Sequence, residues 1–250
     1  MAVITMDFRS SELKMNTLVT VAFPDPGRAG NVPLSSRRVL YLLHGLSHDG
    51  SAWLRHTLVE RYAEAHGLVV VMPSGGRSAY CDNVLGQNYF SHIATELPAY
   101  LKLVFGLSQK REDNLIAGFS MGGMGAMKIA LTYPERYRAV GSLSGLLDLR
   151  LYLPLADKNA ANEFPFLFEA LDDLDHSPLN PVNLLDAQRH RDLHMYIACG
   201  LQDDLLHTNY AFQKRAAALG LSPEYVFEDG AHEWGFWDRH LKLFMDYCMR

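Results

Sequence analysis

The chain has 250 residues, 48% of them apolar and 20% charged, with a formal net charge of -5. That is enough chain to bury a sizeable core, and a composition this ordinary argues against extensive disorder. The mild acidity argues against a basic face for nucleic acid or anionic lipid, which would need clustered Lys and Arg.

The opening segments Val3 to Phe8 and Thr17 to Phe23 read as two strands joined by the polar turn Ser10-Ser11-Glu12. Val39 to Leu43 is a continuous apolar strand, suited to burial on both faces. Leu54, Leu58 and Tyr62 then repeat at four-residue spacing beside Val59 and Ala63, which predicts one amphipathic helix closing at Gly67. Leu68 to Met72 follows as another buried strand. After a polar, aromatic loop from Pro73 to Phe90, a helix is expected from Ser91 to Phe105, kinked at Pro98. Asn114 to Phe119 predicts a strand and Gly122 to Thr132 a helix, with Ser120 at their junction. Strands are expected at Ala139 to Ser142, His194 to Cys199 and Tyr225 to Phe227, and a helix at Tyr210 to Leu219. Trp237, Leu241, Phe244, Met245 and Cys248 give a final helix its apolar stripe.

Strands alternating with helices in this way predict an α/β fold with a mostly parallel central sheet flanked by helices. No repeat or low-complexity linker divides residues 1–250, so one domain is expected. The stretch 148–191 breaks the rhythm with Phe164, Phe166 and Phe168, acidic segments and prolines, and reads as a cap or lid-like insertion. No run reaches the roughly 18 apolar residues of a membrane span. Residues 1–7 lack a basic segment followed by an apolar core, so no secretory signal is expected. Three cysteines, Cys81, Cys199 and Cys248, cannot all pair within one chain, which fits a reducing, cytoplasmic setting.

Gly118-Phe119-Ser120-Met121-Gly122 matches the G-x-S-x-G nucleophile elbow. Its glycines let a sharp strand-to-helix turn form, and the helix that follows turns its positive end toward the site. Alone the pattern is weak; the apolar strand before it and the small-residue helix after it give it weight. Ser120 needs a base to remove its proton. In the α/β-hydrolase fold the partners follow in the order Ser, acid, His, on loops after strands. His232 meets that demand, between the last strand and the final helix. His194 begins a strand, His240 lies within a helix, and His190 and His207 sit in loops elsewhere. The acid belongs after the strand ending at Cys199, where Asp203 and Asp204 are adjacent and position does not separate them. Two oxyanion donors are expected from the backbone N–H groups of Met121 and Leu46, with His44 bracing the loop that holds Leu46. Trp53, Tyr80, Tyr89 and Trp234 are candidates for lining an acyl pocket, while Trp237 reads as core. The histidine pairs His44/His48 and His190/His194 have ligand spacing but no convincing helix and no third ligand, so no metal is expected.

These residues together, Leu42-Leu43-His44-Gly45-Leu46, Trp53, the elbow with Gly123, Cys199-Gly200 and His232-Glu233-Trp234, resemble the esterase D-like hydrolases, most closely their tributyrin-esterase branch. The resemblance covers nearly the whole chain, including Ser11 to Met15. The family usually reads Cys-Gly-Thr-Glu-Asp after the acid strand, with an asparagine six residues beyond the aspartate. Here Cys199-Gly200-Leu201-Gln202-Asp203 and Asn209 occupy that frame, which favours Asp203 as the acid; Leu201 and Gln202 depart from it. The resemblance implies a serine carboxylesterase acting on short-acyl, small-molecule esters without a cofactor. The family also includes S-formylglutathione hydrolases, sugar-ester deacetylases, feruloyl esterases and mycolyltransferases. It leaves room for a thioesterase, an acyltransferase or a homo-oligomer.

Overall fold

The structure is a computed structural model and describes residues 1–84, 86–155 and 174–250. Eight strands form one sheet in the order β1-β2-β4-β3-β5-β6-β7-β8. They are β1 (Ala2–Arg9), β2 (Asn16–Phe23), β3 (Val39–Leu43), β4 (Val69–Pro73), β5 (Asn114–Phe119), β6 (Ala139–Leu143), β7 (His194–Gly200) and β8 (Glu224–Glu228). Strand β2 pairs antiparallel with both β1 and β4, and every pairing from β4 through β8 is parallel. The order inverts between β4 and β3, and each crossover carries chain over a face of the sheet. The five longest helices described are α1 (Val59–His66), α2 (Leu97–Phe105), α3 (Met121–Thr132), α4 (Leu206–Ala218) and α5 (Trp234–Cys248).

Every residue of β3, β4, β5 and β6 is buried, as continuous apolar runs between two layers of helix require. Side chains alternate between two cores. One contains Tyr41, Ile116, Met127 and Ile129, and the other contains Leu40, Leu42, Trp53, Phe119 and Phe244. At about 25 cal/mol per Å² of apolar surface removed from water, this two-sided burial is the main term holding the sheet.

One local expectation is corrected. The helix drawn through Leu54, Leu58 and Tyr62 is two helices, Ala52–His56 and α1. Thr57 breaks it: its backbone turns extended (φ -136°, ψ 171°), its hydroxyl bonds the Trp53 carbonyl, and the Leu58 N–H is taken up by Asp238 at 2.9 Å. Leu58 is consequently 52% exposed rather than on the apolar stripe. The helix expected from Ser91 to Phe105 is interrupted next to Pro98, which is the second residue of α2 and lacks an N–H to continue the regular ladder. A wider π-type turn, His92–Glu96, leads into it.

Of the stretch 148–191, Phe164, Phe166, Phe168, Asp172 and Asp173 lie outside the described residues. At its start Asp148 caps a short helix, Leu149–Tyr152, and Asp175 pairs with Arg150 at 3.0 Å. Pro181–Leu184 forms a single 3-10 turn held by the Val182 N–H to the Leu147 carbonyl.

Candidate active site

The candidate side chains stand at the carboxyl ends of neighbouring strands, where open α/β sheets place their ligand sites. Ser120 follows β5, Ser144 follows β6, Asp203 follows β7 and His232 follows β8. Because these strands are hydrogen-bonded neighbours, residues far apart in sequence are held at one level.

Ser120 joins β5 to α3 with φ 55° and ψ -121°, a conformation that L-residues rarely adopt. Its N–H bonds the Leu143 carbonyl at 2.9 Å, which holds the turn. The flanking glycines are required by space. A Cβ on Gly118 would lie 2.4 Å from the backbone of Gly122, and one on Gly122 would lie 2.4 Å from the Leu43 carbonyl oxygen. The turn places Ser120 Oγ 3.0 Å from His232 Nε2.

His232 Nδ1 is 2.9 Å from Asp203 Oδ2, so Asp203 fixes the tautomer in which Nε2 faces the serine. Asp203 is fully buried at its side chain, whereas the His232 side chain is 38% exposed. Burial alone would raise the Asp203 pKa. Hydrogen bonding and charge from His232, together with bonds from the Leu205 N–H and the Ser144 hydroxyl, outweigh it and hold the carboxyl below the usual range. Asp204 is exposed and points into the neighbouring cavity.

The acid and histidine loops are stitched together. The Leu201 N–H bonds the Glu228 carbonyl, the Gln202 N–H bonds the Gly230 carbonyl, and Gln202 Oε1 accepts from the Gly230 N–H at 2.9 Å. Gln202, a departure from the family's usual residue, thus supplies its own side-chain tie between the two loops. Asn209 donates to the carbonyls of Gly145 and Leu205, both at 2.9 Å, and braces α4 under the acid loop.

Leu46 and Met121 both line the same cavity as Ser120 and His232. Met121 is the first residue of α3, so its N–H is one of those the helix leaves unpaired. His44 braces the Leu46 loop: its Nε2 accepts from the Gly75 N–H at 2.8 Å, which leaves Nδ1 protonated to donate to the Gly45 carbonyl at 2.8 Å. Burial lowers the His44 pKa, in keeping with a neutral ring. Tyr80 Oη donates to the His44 carbonyl at 3.0 Å from the other side. The cavity has a volume of about 430 Å³ and is walled mainly by apolar side chains, among them Ala79, Met124, Leu146, Tyr152 and Trp237. A nucleophile–base–acid line whose acid is buried and whose nucleophile opens onto an apolar cavity is equipped for acyl transfer.

Residues 10–243 match the profile of the Esterase family. The chain belongs to that family. It is 28% identical to an acetyl esterase of Caldicellulosiruptor saccharolyticus over 96% of both chains. Among solved structures it is 30% identical to FphF, a fluorophosphonate-binding serine hydrolase of Staphylococcus aureus, with a TM-score of 0.90 over 100% of this chain and 98% of that one. It is also 30% identical to FrmB, an S-formylglutathione hydrolase of the same organism, with a TM-score of 0.87 over 100% and 99%. The chain is therefore an α/β-hydrolase and a serine carboxylic-ester hydrolase, and its substrates are small esters. No helix among the described residues is long and apolar enough to cross a membrane.

The pocket candidates are corrected. Trp53 is fully buried and spends its indole N–H on the Leu43 carbonyl at 3.1 Å, behind the cavity wall. Trp234 stacks on His56 at 4.5 Å and packs against the far side of Phe119, and Tyr89 lies against Gly76; neither lines the cavity. Trp237 is buried in the core, as expected, and also lines the cavity, edge-on to His232 with ring centroids 4.9 Å apart. Its position in the first turn of α5 turns the indole toward the histidine loop. Its Nε1–H donates to Ser144 Oγ at 3.0 Å, which completes a line from Trp237 through Ser144 to Asp203. Ser144 itself has φ 50°, and no sequence motif announced it. Its one signal is its place, just past the end of the strand between those carrying Ser120 and Asp203.

Of the histidines with metal-ligand spacing, His44, His48 and His190 bond the backbone, and the His194 ring packs against Tyr247. His190 accepts from the Asp186 N–H and donates to the Leu131 carbonyl, and His48 Nδ1 meets the Leu46 carbonyl at 3.1 Å. Among the described residues no group of three or more His, Cys, Asp or Glu side chains is placed to hold a metal ion.

Proposed function

We propose that the chain hydrolyses short-acyl esters through a covalent acyl-enzyme, with Ser120 as nucleophile, His232 as general base and then acid, and Asp203 orienting His232. Ser120 Oγ attacks the ester carbonyl while His232 Nε2 takes its proton. The N–H groups of Leu46 and Met121 hold the oxyanion, and the same proton passes to the departing alcohol. Water, activated by His232, then releases the acid and frees Ser120. The observation that carries this reading is the unbroken line Ser120–His232–Asp203, at 3.0 and 2.9 Å, on the wall of the apolar cavity.

The acyl group enters a cavity of bounded size. Each methylene that fits contributes about 0.8 kcal/mol of burial, while one that does not fit costs about 1–3 kcal/mol in overpacking. Tyr152, at the start of the proposed cap 148–191, forms part of the wall and limits the space. We therefore expect kcat/KM for p-nitrophenyl esters to peak between acetate and butyrate and to fall steeply by octanoate and palmitate. The esters are to be assayed below their aggregation concentrations; a maximum at octanoate or beyond overturns the short-acyl reading. The similarity to an S-formylglutathione hydrolase favours including that thioester in the same screen, where preference for it over every oxygen ester identifies a thioesterase. The three free cysteines, all buried, fit a reducing cytoplasmic setting.

Trp237 acts through Ser144 and Asp203 as a positioning residue. Trp237→Phe keeps an aromatic ring at the position but removes the pyrrole N–H and with it one neutral hydrogen bond, worth about 0.5–1.5 kcal/mol. Turnover is expected to fall by up to about tenfold with KM nearly unchanged, read by steady-state kinetics on the butyrate ester. A rise in KM alone would show that the indole only shapes the pocket.

A further inference from the structure

Lys128 is buried in α3, about two turns beyond Ser120, and is 2% exposed. It takes no part in the line of catalytic candidates. Its Nζ donates to the Ala79 carbonyl at 3.0 Å and stands 2.6 Å from the sulfur of Cys81, which is 1% exposed. Neither partner carries a fixed negative charge. The sulfur's own backbone contact, to the Ala79 carbonyl, is an ordinary 3.4 Å.

The nitrogen–sulfur separation is the informative quantity. An N–H···O bond spans about 2.7–3.2 Å, and sulfur is larger than oxygen, so 2.6 Å is short for a hydrogen bond to a thiol. It is much too long for a direct N–S bond. Bond lengths of about 1.46 Å for N–C and about 2.04 Å for S–S imply that two single bonds through one oxygen hold N and S roughly 2.6 Å apart. We propose that Cys81 and Lys128 are a redox modification site, in which dioxygen joins them through an N–O–S cross-link.

The step balances. Cys81–SH, the Lys128 amine and one O₂ give Cys81–S–O–NH–Lys128 and one water. Sulfur and nitrogen each lose two electrons, and the two oxygen atoms of O₂ gain the four. Of the three hydrogens on the reacting thiol and neutral amine, one stays on nitrogen and two leave in the water. Two equivalents of a dithiol reverse it, returning the thiol, the amine and a second water. Access comes through the active-site cavity, since Ala79, two residues before Cys81, forms part of its wall. The cross-link would tie that wall to the helix that begins beside the nucleophile.

The test uses the full chain, fully reduced, then held in air-saturated buffer, denatured and alkylated. Intact mass before alkylation is expected to rise by one oxygen less two hydrogens, about 14 Da. Two of the three cysteines should then alkylate. A tryptic digest should contain the Cys81 and Lys128 peptides joined, uncut at Lys128, and dithiothreitol should separate them. Lys128→Arg, which keeps the charge, should stay at the reduced mass. Three alkylatable thiols after oxidation would overturn the proposal. So would whole-oxygen additions on Cys81 with Lys128 still cut by trypsin. The peptide map of the wild-type chain decides the matter even where the variant fails to fold.

Discussion

Ser120→Ala is expected to lower kcat/KM by about 10⁴-fold or more, the scale on which removal of a nucleophile acts when its partners work as a unit. The fold should survive. The contact that anchors the turn is the Ser120 N–H to the Leu143 carbonyl, which alanine keeps, while the side-chain oxygen is bonded to His232. The strain of φ 55° is also unchanged, since alanine carries the same Cβ. Ser120→Gly removes both the nucleophile and the strain. It should be equally inactive but more stable, because backbone held in sparsely populated regions costs about 1–3 kcal/mol. The two variants together separate chemistry from folding: esterase assay on the butyrate ester gives the first, and thermal melting gives the second. Alanine activity within about tenfold of wild type, from a preparation free of the parent enzyme, would remove Ser120 from the mechanism.

The parts of the chain that read clearly are those where one physical requirement dominates. Residues 39–43 and 69–73 are apolar almost without a break, the Tyr41 hydroxyl excepted, because both faces of those strands are covered. Gly118 and Gly122 are legible because the elbow leaves no room for a Cβ, a constraint that fixes residue type as well as place. His232 is legible from the Ser, acid, His order and its place between the last strand and the final helix, and the sheet delivers it to Ser120. The aromatic residues were harder. Trp53, Trp234 and Trp237 all pack around Phe119, and a one-dimensional stripe cannot say which ring faces the cavity and which lies behind its wall. Leu58 misled for a related reason: it kept helical spacing with Leu54 and Tyr62, but the Thr57 hydroxyl and Asp238 give the backbone other partners there. Ser144 was silent because its role depends on its neighbours in the sheet and on a positive φ, neither of which a serine advertises.

The choice between the adjacent carboxylates gives the second large effect. Asp203→Asn is expected to lower kcat by about 10³–10⁴-fold, because an amide in that place can support the wrong tautomer of His232 and cannot stabilise the imidazolium. The geometry sets the two aspartates apart. Asp203 is enclosed, accepts from the Leu205 N–H at 2.9 Å, and meets His232 Nδ1 at 2.9 Å. Asp204 is exposed at the cavity mouth, where solvent screens its charge. Asp204→Asn should therefore change kcat far less and act, if at all, on KM through the polarity of the entrance. Asp203 also keeps its carboxyl ionised further into acid than an ordinary aspartate, since its hydrogen bonds outweigh its burial. A folded-state pKa held below the unfolded value adds stability above the unfolded value, and this is lost as pH falls through the folded one. Asp203→Asn should accordingly flatten part of the acid limb of the melting temperature. Kinetics on both variants, and melting from pH 7 downward on Asp203→Asn and the parent chain, make the comparison. If Asp204→Asn proved the more damaging to kcat, the hydrogen bond from His232 to Asp203 would not be the one that orients the base.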